Sequence, residues 1–246
     1  MAERTERRGP QPAQTFPRTG ENQMKTKRLT SFAALSLGAI AASGCMTAHI
    51  EQSRHTLTGI GEGDSVVILA RSYHNGNFTE NDFIDCVDKN LSKGDTGLTV
   101  IPDGEFRDAF YPWFEPRTAP RSPNDLPKLL ADEQVAAKFA DTGVRYIIWI
   151  EGSTEALEGG GSISCSVGPG AGGCFGLMWW EKDSDYEAAI WDMKHVASAG
   201  MVATDVNGMS IMPAVVIPVP LIAPTQNTAC KRLADQLRMF LVEGVS

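Results

Sequence analysis

VAAKFADTGVRYIIWIEG, residues 135 to 152, changes its period half-way. Val135 and Phe139 are four apart, as on one face of a helix, and Leu126, Leu129 and Leu130 lie upstream in the same stretch. Gly143 is a good helix stop, because glycine takes the left-handed conformation that ends many helices. Val144 to Ile150 is then apolar with β-branched and aromatic residues, the mark of a buried strand. The spacing therefore predicts a helix over 126–142 that passes directly into a strand over 144–150.

The same order recurs upstream. Val66 to Ala70, VVILA, reads as a buried strand after Gly63-Asp64. Thr79 to Lys93 reads as a helix, with Phe83, Ile84, Val87 and Leu91 on one face and Cys86 at its margin. Thr79 and Asp82 resemble a capping box, and Gly94 is a stop. Leu98 to Ile101 is a second strand, ended by the turn signal Pro102-Asp103-Gly104. Phe106, Ala109, Phe110 and Trp113 follow helical spacing, and Pro112, Pro116, Pro120 and Pro123 mark an extended loop. Strand, helix, strand, helix, strand gives parallel neighbours covered by helices.

Downstream the pattern changes. Glu158 to Gly173 is Gly-rich. Phe175 to Trp180, Tyr186 to Met193 and Met201 to Val206 read as strands of an antiparallel meander, with a turn at Asn207-Gly208. Ile211 to Pro224 is apolar but holds four prolines, which argues against a central strand and against a membrane helix. A helix from about Thr228 closes the chain, with Cys230, Leu233, Leu237, Phe240 and Leu241 on its apolar stripe. The expected fold class is α/β (α+β): a mixed sheet, a strand-helix-strand-helix-strand first half, a meander, and a closing helix.

Five cysteines are present. Cys45 belongs to the amino-terminal region. Cys86, Cys165, Cys174 and Cys230 allow three pairings. Cys165 with Cys174 would close the Gly-rich stretch. Cys86 with Cys230 would join the first and last helices if both lie side by side on one face of the sheet, which needs Cα atoms within about 7 Å. No CxxC occurs and the four His are scattered, so no metal is expected.

The amino terminus reads as an address. In Met24 to Cys45, MKTKRLTSFAALSLGAIAASGC, Lys25, Lys27 and Arg28 precede an apolar run from Leu29 to Ala42. That run is within the span of a signal core and too short to cross a bilayer as a helix. Ala42, Ser43 and Gly44 then lead into Cys45. The stretch resembles the lipobox of bacterial lipoproteins. The resemblance implies cleavage before Cys45 and a lipid on its sulfur, and Met46 in the next position leans to the outer membrane, periplasmic side. Residues 1–23 are polar and carry no apolar periodicity, and are expected to be a leader that is not native, with translation starting at Met24. Residues 24–44 are then the signal, 45–63 a polar tether, and 64–246 one periplasmic domain.

Residues 1–44 hold seven basic and three acidic side chains, so of the chain's 22 and 30 the remainder keeps 15 and 27, a net charge of −12. An acidic domain repels phosphate backbones, which excludes nucleic acid as a natural partner. It also repels anionic lipid, so the membrane link is expected to be covalent, through Cys45.

Taken together, VVILA, FIDCVDKNL and VAAKFADTGVRYIIWIEG, with the meander and closing helix, resemble the periplasmic α/β domains of envelope lipoproteins of the curli-secretion (CsgG-like) and TolB amino-terminal type. The likeness spans most of residues 64–242 and is one of pattern. It implies an envelope protein and carries over no catalytic residue.

Gly168 to Gly173 matches G-x-G-x-x-G in spelling, but it lacks the preceding strand and following helix that a dinucleotide site needs. No cofactor is expected; the run is expected to be a flexible hairpin loop tied by a disulfide. Met178, Trp179 and Trp180 are candidates for gripping a partner, weighed against one Trp in the core and one at its rim. Ile211, Val216 and Ile217 belong to a segment that could dock into another chain or pack across the domain's end. Asp103, Glu105 and Asp108, and Asp183, Asp185 and Glu187, read as solvated acids. His195 lies near Asp192 without a nucleophile elbow. No hairpin of outer-membrane kind stands out between Glu151 and Met193. The expected role is a non-catalytic binding or accessory module with an envelope-protein or cell-wall partner. The alternatives are a subunit of an oligomeric outer-membrane secretion or assembly complex, and a periplasmic hydrolase.

Overall fold

In a computed structural model, residues 46–70, 79–94, 98–115 and 117–242 are described. The expected leader, the expected signal and Cys45 lie outside them. Six strands form one mixed sheet in the order β1-β6-β5-β4-β2-β3. They are β1 (Met46–Arg54), β2 (Ser65–Ala70), β3 (Val100–Ile101), β4 (Val144–Gly168), β5 (Ala171–Asp192) and β6 (Ala197–Pro218). The helices are α1 (Asn81–Leu91), α2 (Asp103–Ala109), α3 (Leu126–Leu130), α4 (Glu133–Thr142) and α5 (Thr225–Val242). The class is the mixed α/β one read from the pattern: β3, β2 and β4 are parallel, and β4, β5 and β6 form an antiparallel meander.

Helices cover both faces of the sheet, which is why β2 is buried on consecutive residues. Val66 and Ile68 face α1 and α5, among Phe83, Val87, Leu91, Leu233, Leu237 and Phe240. Val67 and Leu69 face the other way, into Phe106, Phe110, Phe114, Phe139 and Trp149. Alternation across a pleated strand puts one set on each side. Each of these side chains is almost fully buried, worth roughly 1.5–3 kcal/mol apiece.

Gly143 ends α4 at φ 65°. A Cβ there would come within 2.7 Å of the Gly63 carbonyl oxygen, so the helix-to-strand junction needs glycine twice over, for conformation and for space. The single helix expected over 126–142 is broken at Ala131-Asp132. Asp132 caps α4 by accepting from the Gln134 amide at 2.9 Å, and a cap side chain of this kind starts a new helix in its own right. The Thr79/Asp82 capping box does not form. Glu80 is the residue before α1, with no side-chain cap bond, and the Thr79 hydroxyl donates to the Ile150 carbonyl instead.

Three further expectations are corrected. Met46 to Arg54 is not part of a tether: it is β1, paired antiparallel to β6 from Met46↔Gly208 to Arg54↔Gly200. Its polar composition hid it, because at this edge only Ile50 and Arg54 are even partly covered. Asn207-Gly208 is not a turn. β6 runs straight through it, held by β1 on one side and β5 on the other. The Gly-rich stretch is not a loop but the far half of β4, in a hairpin whose tip is Pro169-Gly170.

Candidate functional site

β4, β5 and β6 are 25, 22 and 22 residues long, several times what the helix-covered body uses. Their far halves project as a three-stranded sheet. A long hairpin does lie between Glu151 and Met193, although not one with the sustained apolar alternation of the outer-membrane kind. The missing signal was strict apolar alternation, since glycine and serine fill β4 there.

Cross-strand register assigns the side chains to faces, because directly paired residues share a face. On one face the rungs nearest the body carry acids: Glu151↔Glu187, then Ser153↔Asp185↔Asp205, then Glu155↔Asp183↔Asn207, with Glu181 next. Further out on the same face the rungs become apolar: Gly160↔Trp179↔Ile211, Ser162↔Leu177↔Pro213 and Ser164↔Phe175↔Val215. Burial first, then Asp205 and Asp185, push the Asp183 carboxyl above its ordinary range; burial and Asp205 do the same for Asp185. Among the described residues no group of three or more His, Cys, Asp or Glu is arranged to hold a metal ion.

Trp179 and Trp180 are neighbours on β5, so they point to opposite faces. Neither lies in a core cluster, which overturns the expectation of one Trp in the core. Trp179 is 39% exposed and Met178 37%. A Cβ on Gly160 would sit 3.2 Å from the Trp179 indole, so the ring lies across the glycine of the neighbouring strand. Met178 shares Trp180's face, opposite Met212. Ile211 is half-buried, and Val216 and Ile217 are exposed.

Ile211 to Pro218 completes β6, although its prolines argued against a strand. The chain turns back after Pro218, and Leu221 exchanges both backbone hydrogen bonds with Ile211, at 2.8 and 3.0 Å, while the Val219 amide donates to the Pro213 carbonyl at 3.0 Å. The Pro213 carbonyl, and with it the nitrogen that has no hydrogen, therefore faces away from β5. That is the one orientation a ladder tolerates.

Both disulfides join the pairs expected. Cys86 and Cys230 link α1 to α5 with Cα atoms 6.1 Å apart. Cys165 and Cys174 are direct partners across the hairpin, 4.0 Å apart. Two such bonds fit an oxidising, extracytoplasmic setting.

Where the projection leaves the body, a polar chain crosses the sheet. Glu80 accepts from the Thr154 amide and from the Tyr186 hydroxyl, each at 2.8 Å. Thr154, Ser184 and Thr225 continue the chain through hydroxyl contacts of 2.8 and 2.9 Å. Phe83 stacks on the Tyr186 ring. Burial is the main cause that pushes the Tyr186 phenol far above its ordinary range, so it stays a donor to Glu80. Sequence reasoning missed Glu80, Thr154 and Tyr186; only the switch from apolar to polar side chains at Glu151 hinted at a boundary.

The Asp192–His195 pair has a structural use. Asp192 is fully buried and accepts from Arg145, from the Lys194 and His195 amides at 2.9 Å, and meets the His195 ring at 2.7 Å. A carboxylate with four partners pins the β5–β6 turn. Asp103 pairs with Arg107 one turn along α2.

No family model matches the chain, and no curated protein does. Among solved structures it is similar to the PelC dodecamer of Paraburkholderia phytofirmans, in one crystal form at 11% identity and, for a single-substitution variant, in another at 10%. Each comparison covers 80% of this chain and 99% of that one at a TM-score of 0.38. A likeness at that level says nothing about function.

Proposed function

We propose that this chain is a lipid-anchored envelope protein on the periplasmic side of the outer membrane, a non-catalytic binding or accessory module that works pressed against the bilayer. The observation that carries the reading is the register Met46↔Gly208. The residue after Cys45 is already in the sheet, on the Gly208↔Lys182 rung, only three residues along β5 from Trp179, where the apolar rungs of Trp179, Leu177 and Phe175 begin. A lipid on Cys45 would therefore hold the base of the apolar projection at the membrane surface, with no slack of a tether between them. Tryptophans at the boundary suit that level, since amphipathic rings favour the interface. The acids suit the water side. Among the described residues no helix is long and apolar enough to cross a membrane, which says nothing of strands.

The test is the lipidated protein in vesicles containing brominated lipid. Trp113, Trp149 and Trp191 belong to the helix-covered body, so quenching should come from Trp179 and Trp180 and vanish in W179F/W180F. Unquenched emission with palmitate incorporated at Cys45 ends the membrane-seated reading; no palmitate incorporation ends the anchor itself.

A second reading, a subunit of an oligomeric outer-membrane assembly, is favoured by strand length. Gly172 to Trp180 and Met209 to Pro218 are nine and ten residues long, about 30 Å each when extended, and a tilted strand needs about 9–11 to cross hydrocarbon. Ring-shaped particles in detergent would support it.

A further inference from the structure

The sheet has four backbone edges, and three are guarded. β3 is two residues long. β1 carries the exposed, charged pair His49 and Glu51 at the outer edge of the sheet. The far half of β6 is covered by the return segment through Ile211↔Leu221, and Pro213, Pro218 and Pro220 remove amides there. Short length, charge, proline and a covering segment are the devices that stop sheet edges from pairing with other chains.

The fourth edge has none of them. β2 leaves β4 at Ala70↔Ile150, and the Glu80 carboxylate takes the outward-facing Thr154 amide. Beyond it Gly159 to Gly168, GGGSISCSVG, holds no charge and no proline over ten residues. Among the described residues nothing pairs with its outer side. The Cys165–Cys174 bond and the β5 ladder from Gly159↔Trp180 to Gly168↔Ala171 hold the strand in one register, so the edge is preformed.

We infer that the outer edge of β4 from Gly159 to Gly168 is a strand-pairing site for a second copy of this chain, in antiparallel register about a two-fold axis near Ile163. A strand meeting itself about such an axis is self-complementary: what one copy offers as donor the other offers as acceptor. The alternative, a head-to-tail contact with the other side of a neighbour's projection, meets the return segment and its prolines. Charge fits as well. With the axis at Ile163, Glu158 lies opposite Gly168, so no acid faces an acid. The paired strand would join two projections into one six-stranded sheet. The inference deepens the oligomeric reading by naming its contact, and it is independent of the lipid.

The experiment uses the full lipidated chain in detergent. A photo-reactive phenylalanine at Ser162 should give a cross-linked dimer whose linked peptide lies within residues 158–168 of the second copy. Links to residues 209–222 of the second copy, or no dimer, overturn the inference. S164K and S164E should each weaken the dimer at least tenfold while keeping both disulfides and the circular-dichroism spectrum, and mixing the two should restore a mixed dimer. Mixing without restoration overturns it too. Dimers with no larger particles sink the assembly reading alone; larger rings linked through 209–222 sink the two-fold edge and keep the assembly.

Discussion

Cys86 on α1 and Cys230 on α5 are bonded across 144 residues of chain, and both helices lie on the sheet face that holds Val66, Tyr146 and Val202. Most of the described domain lies inside that loop. In the chain-entropy account a closure of this length contributes about 4–5 kcal/mol, and the nine-residue closure Cys165–Cys174 about 2–3. C86A/C230A should therefore lower the urea midpoint of the whole domain by the larger amount. C165A/C174A should leave the midpoint nearly unchanged and instead speed amide exchange in residues 159–180, because the projection buries little. Equal midpoint shifts for the two variants would contradict this division.

Tyr186 and Glu80 should behave as one unit. Y186F keeps the ring that stacks on Phe83 but removes the hydroxyl that Glu80 and Thr154 share. Leaving buried polar groups without a partner costs about 1–3 kcal/mol. E80A should cost at least as much, because it also frees the Thr154 amide. The double variant should cost less than the sum, as expected for groups in one network. Additive losses in urea unfolding would show that the two do not act through each other.

The helix-covered half of this molecule was legible because burial writes a period into the sequence. VVILA, the Phe83–Leu91 face, the Gly143 stop and VRYIIWI all state which way they point. The projection was not legible for the same physical reason. Its strands have little core to face, so the short alternation of Ser162 to Val167 is set among glycines and the stretch reads as a loop. β1 was hidden likewise, as an edge strand of polar residues. Of the candidate surface, Trp179, Trp180 and Ile211 were found by type, while the acidic rungs beneath them appear only once register brings Asp183, Asp185 and Asp205 together across strands. The two disulfides were legible because only side-by-side helices and a closed hairpin satisfy the reach of the bond.

Asp183 and Asp185 give a pH dependence of definite sign. Both carboxyls hold their protons above the ordinary 3.8 in the folded chain, so the native state binds more protons than the unfolded one in that range. Stability contributed by these groups is then fullest below the unfolded value, and falls as pH rises through the raised folded values. D183N/D185N removes the repulsion with Asp205 and should flatten this decline. Thermal melts from pH 4 to pH 7 should show the wild type losing ground to the variant as pH rises. A variant that loses ground instead would mean the carboxylates are held by partners rather than crowded by one another.

Gly161 gives the sharpest test of the projection's geometry. Its φ is +92°, and a Cβ there would sit 2.1 Å from the Leu177 carbonyl oxygen on the facing strand. Both the conformation and the space exclude a side chain, and nothing flexible stands in the way to give ground. Strain of this kind costs on the order of 1–3 kcal/mol at the residue itself, more if the strands must part. G161A should therefore open β4 from β5 around Leu177 and expose Trp179 and Trp180 further, seen as a red shift in tryptophan emission and faster amide exchange from residue 159 to 180. The body, whose core lies at Ile148, Ile190 and Leu233, should keep its unfolding free energy in urea titrations within about 1 kcal/mol, since local opening in a weakly packed element need not propagate. G160A is the matched control. Gly160 has no left-handed φ, and its neighbour is the movable Trp179 ring rather than backbone. It should shift the emission by repositioning that indole while leaving the ladder protected, and loss of protection in G160A to the same degree as in G161A would refute the special role of Gly161.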